Sequence, residues 1–401
     1  MASTHLEAMF SLYLAGMKTN EEKACLCALN RIFGFEPKTA HALISHCGCA
    51  SGVFALAEKE LDELMGPYSR NRSLIRKAAV YEADDEIGHL LKTGTEFIGW
   101  GEDGYPPLLA ECPDAPVGLY IRSHTPATEL WAPESSLAIV GTRDISPYGR
   151  EWCSKTVEGL ASTKEQPLIV SGLALGTDIC AHKAAIENGL PTIAVMATGP
   201  DTVYPFRHWS FAEQMIRTPG CALVTDYPPG TPPLPIHFLR RNRIIAGLSQ
   251  ATILIESKLK GGGMMTARLA FSYDRDVYAL PGRADDIRSQ GCNKLISDKI
   301  AEPLISIDTL TQGIGLQKNG RNPVMDVESR LNKTYSNRID PESLNHLTGI
   351  LSLIRRTRGI TVEELACQTG LGYSKVSALT AMLEVDGFIQ IDLLQRCNIT
   401  R

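Results

Sequence analysis

Leu137-Ala138-Ile139-Val140-Gly141-Thr142-Arg143 decides the fold class. Four apolar residues without polar alternation read as a strand buried on both faces. They run straight into a glycine, a hydroxyl and a guanidinium. Comparable short apolar runs recur at 168–170, 192–195, 222–224, 252–255 and 277–280. The segments between them have helical period and length. Strand and helix alternate about six times, which is the pattern of an α/β domain with a doubly wound, mainly parallel sheet.

In an open parallel sheet the loops at the carboxyl ends of the strands line one crevice. Three glycine-bearing segments fall at such ends. Gly141-Thr142-Arg143 follows the first run. Ser171-Gly172-Leu173-Ala174 follows the second and leads through Gly176-Thr177-Asp178 into a helix. Glu256 closes the fifth, and Gly261-Gly262-Gly263 opens another helix. Glycine lets a backbone approach a ligand closely, arginine forks onto phosphate, and helix starts favour anions. Together they imply a phosphate-binding crevice. No G-x-x-x-x-G-K-[ST] is present, the first strand lacks G-x-G-x-x-G, and there is no G-x-S-x-G elbow. A P-loop triphosphatase, a dinucleotide oxidoreductase and a serine hydrolase therefore lack support.

Phe238-Leu239-Arg240-Arg241-Asn242-Arg243 is the densest basic run in the chain. Arginines that meet phosphates beside a ring that stacks on a base suit a single strand. The plainer alternative is a solvated helix start with Phe238 in the core. Arg240 and Arg243, three apart, share one helical face, and Arg241 points elsewhere. Asp178 and His182, four apart, read as a structural pair, because nothing nearby supplies a nucleophile or a third ligand. Tyr204-Pro205 holds a loop over the crevice, and Pro281-Gly282 is a turn.

The chain has 401 residues, 44% hydrophobic and 21% charged, an ordinary globular composition. No run approaches the roughly 20 apolar residues of a membrane helix. Residues 8–16 are apolar, but Glu7 precedes them without a basic flank, so a secretory signal is not expected and the chain reads as cytoplasmic. Cys25-x-Cys27 and Cys47-x-Cys49 lack the C-x-x-C spacing of zinc and redox sites. No metal or other cofactor is expected. The net charge of −5 hides a split: residues 1–136 carry 11 basic and 19 acidic side chains, whereas 137–300 carry 18 and 15. A polyanion site belongs in that middle third.

The flanks differ from the centre. Residues 1–93 read as a small helical domain with turns at Gly34, Pro37, Gly48, Gly52 and Gly66-Pro67. A helix-hairpin-helix would need a second glycine where Glu36 stands, and the region is acidic, which argues against direct DNA contact there. Residues 94–136 are a proline-rich connection with one strand at 118–121, leading into the α/β domain, whose limits are 94–312. Residues 313–342 read as a linker. Residues 343–401 show three helices, 347–356, one opening at Thr361-Val362-Glu363-Glu364, and 373–386, then a short β element: a winged helix-turn-helix pattern. Its third helix displays Lys375, Ser377, Thr380 and Glu384, so protein contact or regulation is at least as well supported as base reading.

The ordered set resembles the DprA/Smf family, the DNA-processing proteins of bacterial natural transformation. The resemblance rests on Ile139 to Arg143 with Tyr148-Gly149, on Ser171 to Asp178 with Ala181-His182, and on Tyr204-Pro205. It continues with Phe238 to Ser249, Glu256, Gly262, Thr266-Ala267, Pro281-Gly282 and Gly291-x-Asn293-x-Leu295-Ile296. It implies an extended Rossmann-like core that binds single-stranded DNA, forms homodimers and loads the RecA recombinase without catalysis. Many members carry an N-terminal sterile-alpha-motif or helix-hairpin-helix-like unit and a C-terminal winged helix. By resemblance Gly141, Thr142, Arg143, Ser171, Gly172 and Gly262 would hold phosphate. Phe238 would stack on a base, and Arg240, Asn242 and Arg243 would complete the DNA site. Thr142 stands for the usual serine, Leu239 for a common proline, and Gly261 to Met264 for Ser-Gly-Ser-Leu. Two further classes fit the sequence less well. A phosphoribohydrolase of the related lysine-decarboxylase-like group would need P-G-G-x-G-T-x-x-E, which 260–266 lacks. A transcription regulator would need a more basic third helix.

Overall fold

Strand β3, Ser136–Val140, is fully buried and sends alternate side chains to two separate cores. Leu137 and Ile139 pack with Val157, Leu160 and Ala181 on one side. Ala138 and Val140 pack with Ile244, Ile245, Met264 and Ala267 on the other. This two-faced burial is why the run carries no polar alternation.

The computed structural model describes residues 20–66, 68–317, 331, 334–335, 338–357, 359–392 and 395–399. The apolar stretch 8–16 and most of the expected linker 313–342 lie outside them. The chain divides into two compact units between residues 318 and 319. Among the described residues no helix is long and apolar enough to cross a membrane.

The first unit is built on a nine-stranded sheet of order β1-β2-β6-β5-β4-β3-β7-β8-β9. Its strands are β1 Thr95–Gly99, β2 Gly118–Arg122, β3, β4 Leu168–Ser171, β5 Thr192–Val195, β6 Ala222–Thr225, β7 Ala251–Leu254, β8 Asp276–Ala279 and β9 Glu302–Pro303. All six expected apolar runs are strands, within a residue at either end. From β6 through β9 every pairing is parallel. β1 pairs antiparallel with β2, and β2 with β6. The proline-rich segment 94–136 is thus not simply a connection: it supplies two strands at one edge of the sheet. Pro106, Pro107, Pro113 and Pro116 lie between the two strands and Pro126 and Pro133 follow the second, so the composition suggests a linker although the strands are real.

Helices α1 Asn20–Phe33, α2 Pro37–Cys47 and α3 Lys77–Lys92 pack around Leu26, Leu29, Phe33, Ile44 and Ala83. The same cluster includes Phe97 of β1 and Tyr120 of β2. Asn30 fastens α1 to the sheet, donating from Nδ2 to the Asp226 carbonyl at 2.9 Å and accepting from the Gly118 amide at 3.2 Å. The sheet faces are covered by α4 Pro147–Ala161, α5 Thr177–Glu187, α6 Trp209–Arg217, α7 Pro235–Gly247, α8 Gly262–Ser272 and α9 Gln290–Ser297. The cysteine pairs 25/27 and 47/49 are free thiols.

The second unit runs α10 Pro341–Arg356, β10 Ile360–Thr361, α11 Val362–Thr369, α12 Tyr373–Val385, β11 Ile389–Ile391 and β12 Arg396–Ile399. Its three short strands pair antiparallel in the order β10-β12-β11. Thr361 and Glu364 form a reciprocal capping box at the start of α11, and Gly370 ends that helix at φ +69°. Leu347, Ile350, Leu365, Val376 and Leu383 make its core.

Candidate nucleic-acid interface

The loops after β3, β4 and β7 meet the start of α7 around one crevice of about 480 Å³. Its floor is Val140-Gly141-Thr142-Arg143. Its walls are Ala174 and Asp178, the α7 residues Phe238, Arg241 and Asn242, and the segment from Ser257 to Gly263. Four cations line it, Arg143, Arg241, Lys258 and Lys260, against a single carboxylate, Asp178.

Each loop is held by its neighbours. The Glu256 carboxylate accepts from the Ser146 amide at 2.9 Å and the Ser146 hydroxyl at 2.5 Å. Ser146 in turn caps α4 by accepting from the Gly149 amide. The loop carrying Thr142 and Arg143 is therefore pinned behind the crevice. The Thr142 carbonyl accepts from the Thr177 amide and hydroxyl at 3.1 and 3.2 Å, joining the first loop to the start of α5. Gly141 has no room for a side chain: a Cβ would stand 2.5 Å from Thr177 Oγ1. Leu173 holds φ +58°, an uncommon conformation for a bulky residue, and turns the chain into the crevice wall.

The basic run divides between the crevice, which Phe238, Arg241 and Asn242 line, and the fold, which Arg240 and Arg243 hold. Arg143 is exposed and lies 5.0 Å over the Phe238 ring, a cation–π contact. The Phe238 ring also meets Tyr204 at 5.5 Å. Among the described residues Arg143, Lys258 and Lys260 form no ion pair. Arg241 is 4% exposed, and its closest carboxylate is Asp178 at 4.0 Å. Burial holds its pKa below the usual arginine range, Asp178 offsetting this only in part. Burial likewise raises the Asp178 carboxyl against the pull of Arg241. A poorly compensated buried guanidinium that faces an open crevice is a strong anion attractor. The start of α8, Gly261-Gly262-Gly263, adds backbone amides at the positive end of a helix. Gly262 faces open space, so its lack of a side chain leaves those amides accessible.

Of the residues expected from sequence, Gly141, Thr142, Arg143, Phe238, Asn242 and Gly262 come together in this crevice. Ser171 is buried, and its hydroxyl donates to the Ile139 carbonyl at 2.6 Å, fixing β4 to β3. Gly172 lies beneath the Arg241 guanidinium. Arg240 and Arg243 do share a face, but it is turned away from the crevice. Arg240 lies 3.9 Å over the Phe35 ring and donates to the Gly34 and Phe35 carbonyls at 2.5 and 3.0 Å. It thereby clasps the turn between α1 and α2. Arg243 is buried, pairs with Asp226 at 2.6 Å and donates to the Asp114 carbonyl. Burial opposes its charge, but Asp226 and Asp114 outweigh that and raise its pKa. The arginine that faces the crevice is Arg241. Helical geometry allows it to oppose Arg240 and Arg243, and the pattern around position 35 gave no sign of which face would be covered.

Asp178 and His182 do not pair. Asp178 accepts from the Ala174 amide at 3.3 Å. His182 is fully buried and hydrogen-bonds Thr192 Oγ1 through Nδ1 at 2.7 Å. The Thr192 hydroxyl donates to the Ile169 carbonyl, so His182 is the donor and its Nδ1 carries the proton. In the second unit, Lys375 sits 3.6 Å from Glu342, the Thr380 hydroxyl donates to its own helix, and Glu384 accepts from the Ile391 amide.

Residues 96–315 match the family model for DNA recombination-mediator protein A. The DNA processing protein DprA of Streptococcus pneumoniae is 37% identical over 220 residues, 54% of this chain and 74% of that relative. Protein Smf of Synechocystis is 37% identical over 297 residues, 74% of this chain and 73% of the relative. The X-ray structure of the Streptococcus pneumoniae protein superposes with a TM-score of 0.60 at 32% identity, covering 73% of this chain and 98% of that one.

Proposed function

The chain belongs to the DNA recombination-mediator protein A family, and on that premise we propose that it binds single-stranded DNA in the crevice between β3, β4, β7 and α7. It protects the incoming strand and passes it to the RecA recombinase during natural transformation and recombination. It acts as a cytoplasmic homodimer and makes or breaks no covalent bond. The observation that carries this reading is the lining of the crevice: four cations and one aromatic ring against a single carboxylate. Phosphates meet Arg143, Arg241, Lys258, Lys260 and the α8 amides. A base stacks on Phe238, whose ring Arg143 and Tyr204 already hold in place. Ser171 and Gly172 shape the site from behind, and Asn242 ties α7 to the Gly262 carbonyl at 3.5 Å. Arg240 and Arg243 support the site through the fold.

The non-catalytic reading draws support from the carboxylates. Glu256 is committed to Ser146, and Asp178 faces Arg241. The second unit, which we read as a winged helix, offers little free positive charge on its third helix and fits contact with a protein.

Binding of the purified chain to oligothymidylate and to its duplex, followed across salt, tests the proposal. A strong single-strand preference that weakens with salt and with Arg143→Ala is expected. Equal weak binding to both forms, insensitive to Arg143→Ala, would refute it.

A further inference from the structure

Three large aromatic side chains stand out from the surface within six residues beside the crevice. Tyr204 is 46% exposed, Phe206 80% and Trp209 50%. Scattered exposed rings are unremarkable, but grouped ones mark a contact surface. Phe206–His208 is one 3-10 turn, and Trp209 follows it with its amide donating to the Phe206 carbonyl, so both rings leave the same short turn. The backbone beneath them is anchored. His208 is buried, its ring bonds the Leu173 carbonyl at 2.8 Å, and its amide donates to the Pro205 carbonyl at 2.9 Å.

The group is continuous with the crevice. Tyr204 lines the crevice and touches Phe238, so Arg143, Phe238 and Tyr204 form a series that leads outward to Phe206 and Trp209. Arg207 lies between the two outer rings in sequence, is exposed, and forms no ion pair among the described residues. Rings that alternate with an unpaired cation fit a chain that alternates bases with phosphates. An apolar protein surface would cover the rings and leave Arg207 without a partner.

We propose that a single strand held in the crevice leaves it over Tyr204, stacks a further base on Phe206 and Trp209, and meets Arg207 with a phosphate. This extension rests on the single-strand reading of the crevice, and its test separates the two. Affinity is measured for oligothymidylates of about 4 to 16 nucleotides, the range of single-strand site sizes. The wild type is compared with Phe206→Ala, Trp209→Ala, Trp209→Phe and Arg143→Ala. The expected result is that Phe206→Ala and Trp209→Ala bind the shortest strands normally but lose about tenfold on the longest. Trp209→Phe, which keeps a ring, retains the gain with length, and Arg143→Ala weakens binding at every length. Normal binding by Phe206→Ala and Trp209→Ala at all lengths would overturn the extension, leave the crevice reading standing and hand these rings to a protein partner. Binding insensitive to Arg143→Ala would overturn both. Phe206 is mostly solvated, so its alanine variant keeps the test valid should Trp209→Ala fold poorly.

Discussion

Arg241 lies across Gly172 so closely that a Cβ at position 172 would stand 1.6 Å from its Nη1. The guanidinium is buried and cannot swing into solvent without leaving the crevice wall. The glycine at the end of β4 is therefore required by an arginine far along the chain.

Gly172→Ala should displace that guanidinium. We expect single-strand affinity to fall by about tenfold or more and stability to fall by about 1–3 kcal/mol, the usual range for overpacking. Oligothymidylate binding and urea unfolding of the same protein measure both.

Arg143→Ala and Arg240→Ala should separate the two sides of the site. The first should leave stability within about 0.5 kcal/mol, weaken binding and reduce the salt slope by about 0.7. The second should leave crevice affinity near the wild-type value and speed amide exchange in the turn between α1 and α2. Salt titrations and hydrogen-exchange mass spectrometry decide the matter, and a larger binding defect for Arg240→Ala would contradict the assignment.

Arg243→Ala should behave as a folding defect. Removing it leaves Asp226 buried without its cation, a change that costs about 3–5 kcal/mol. Denaturant unfolding should show the loss, and adding Asp226→Asn should recover part of it. Full stability in the single variant would contradict the structural role.

Acid should destabilise the first unit through His182. Burial first, then the Arg241 and His208 charges, lower its pKa to about 3 from an ordinary 6.5. The unfolded chain takes up this proton below about pH 6.5, and the folded chain does not until about pH 3. The stabilisation is complete above 6.5 and declines as pH falls, by up to about 1.4 kcal/mol per unit. Urea midpoints between pH 7 and 5 should fall in the wild type and flatten in His182→Leu.

Much of this was legible in local pattern. Six apolar runs gave six strands, and the loops after β3, β4 and β7 had to converge because a parallel sheet places its carboxyl ends together. What stayed hidden was set by distant contacts. The run from Arg240 to Arg243 shows that two arginines oppose a third, but only the docking of Phe35 and the pairing with Asp226 decide which side is covered. Ser171 looked like a phosphate ligand, yet the neighbouring strand's carbonyl takes its proton. The strand at 95–99 was concealed by the prolines that follow it.

One consequence concerns length rather than composition. Arg240, Arg241 and Arg243 of α7 clasp the N-terminal turn, face the crevice and neutralise Asp226 respectively, so three separate attachments depend on the rotational phase of a single helix. Inserting one residue ahead of Phe238 would turn everything after it by about 100° and disengage all three at once. A single substitution within this helix disturbs one attachment, whereas a change in its residue count disturbs all three, and libraries that vary this segment should hold its length fixed.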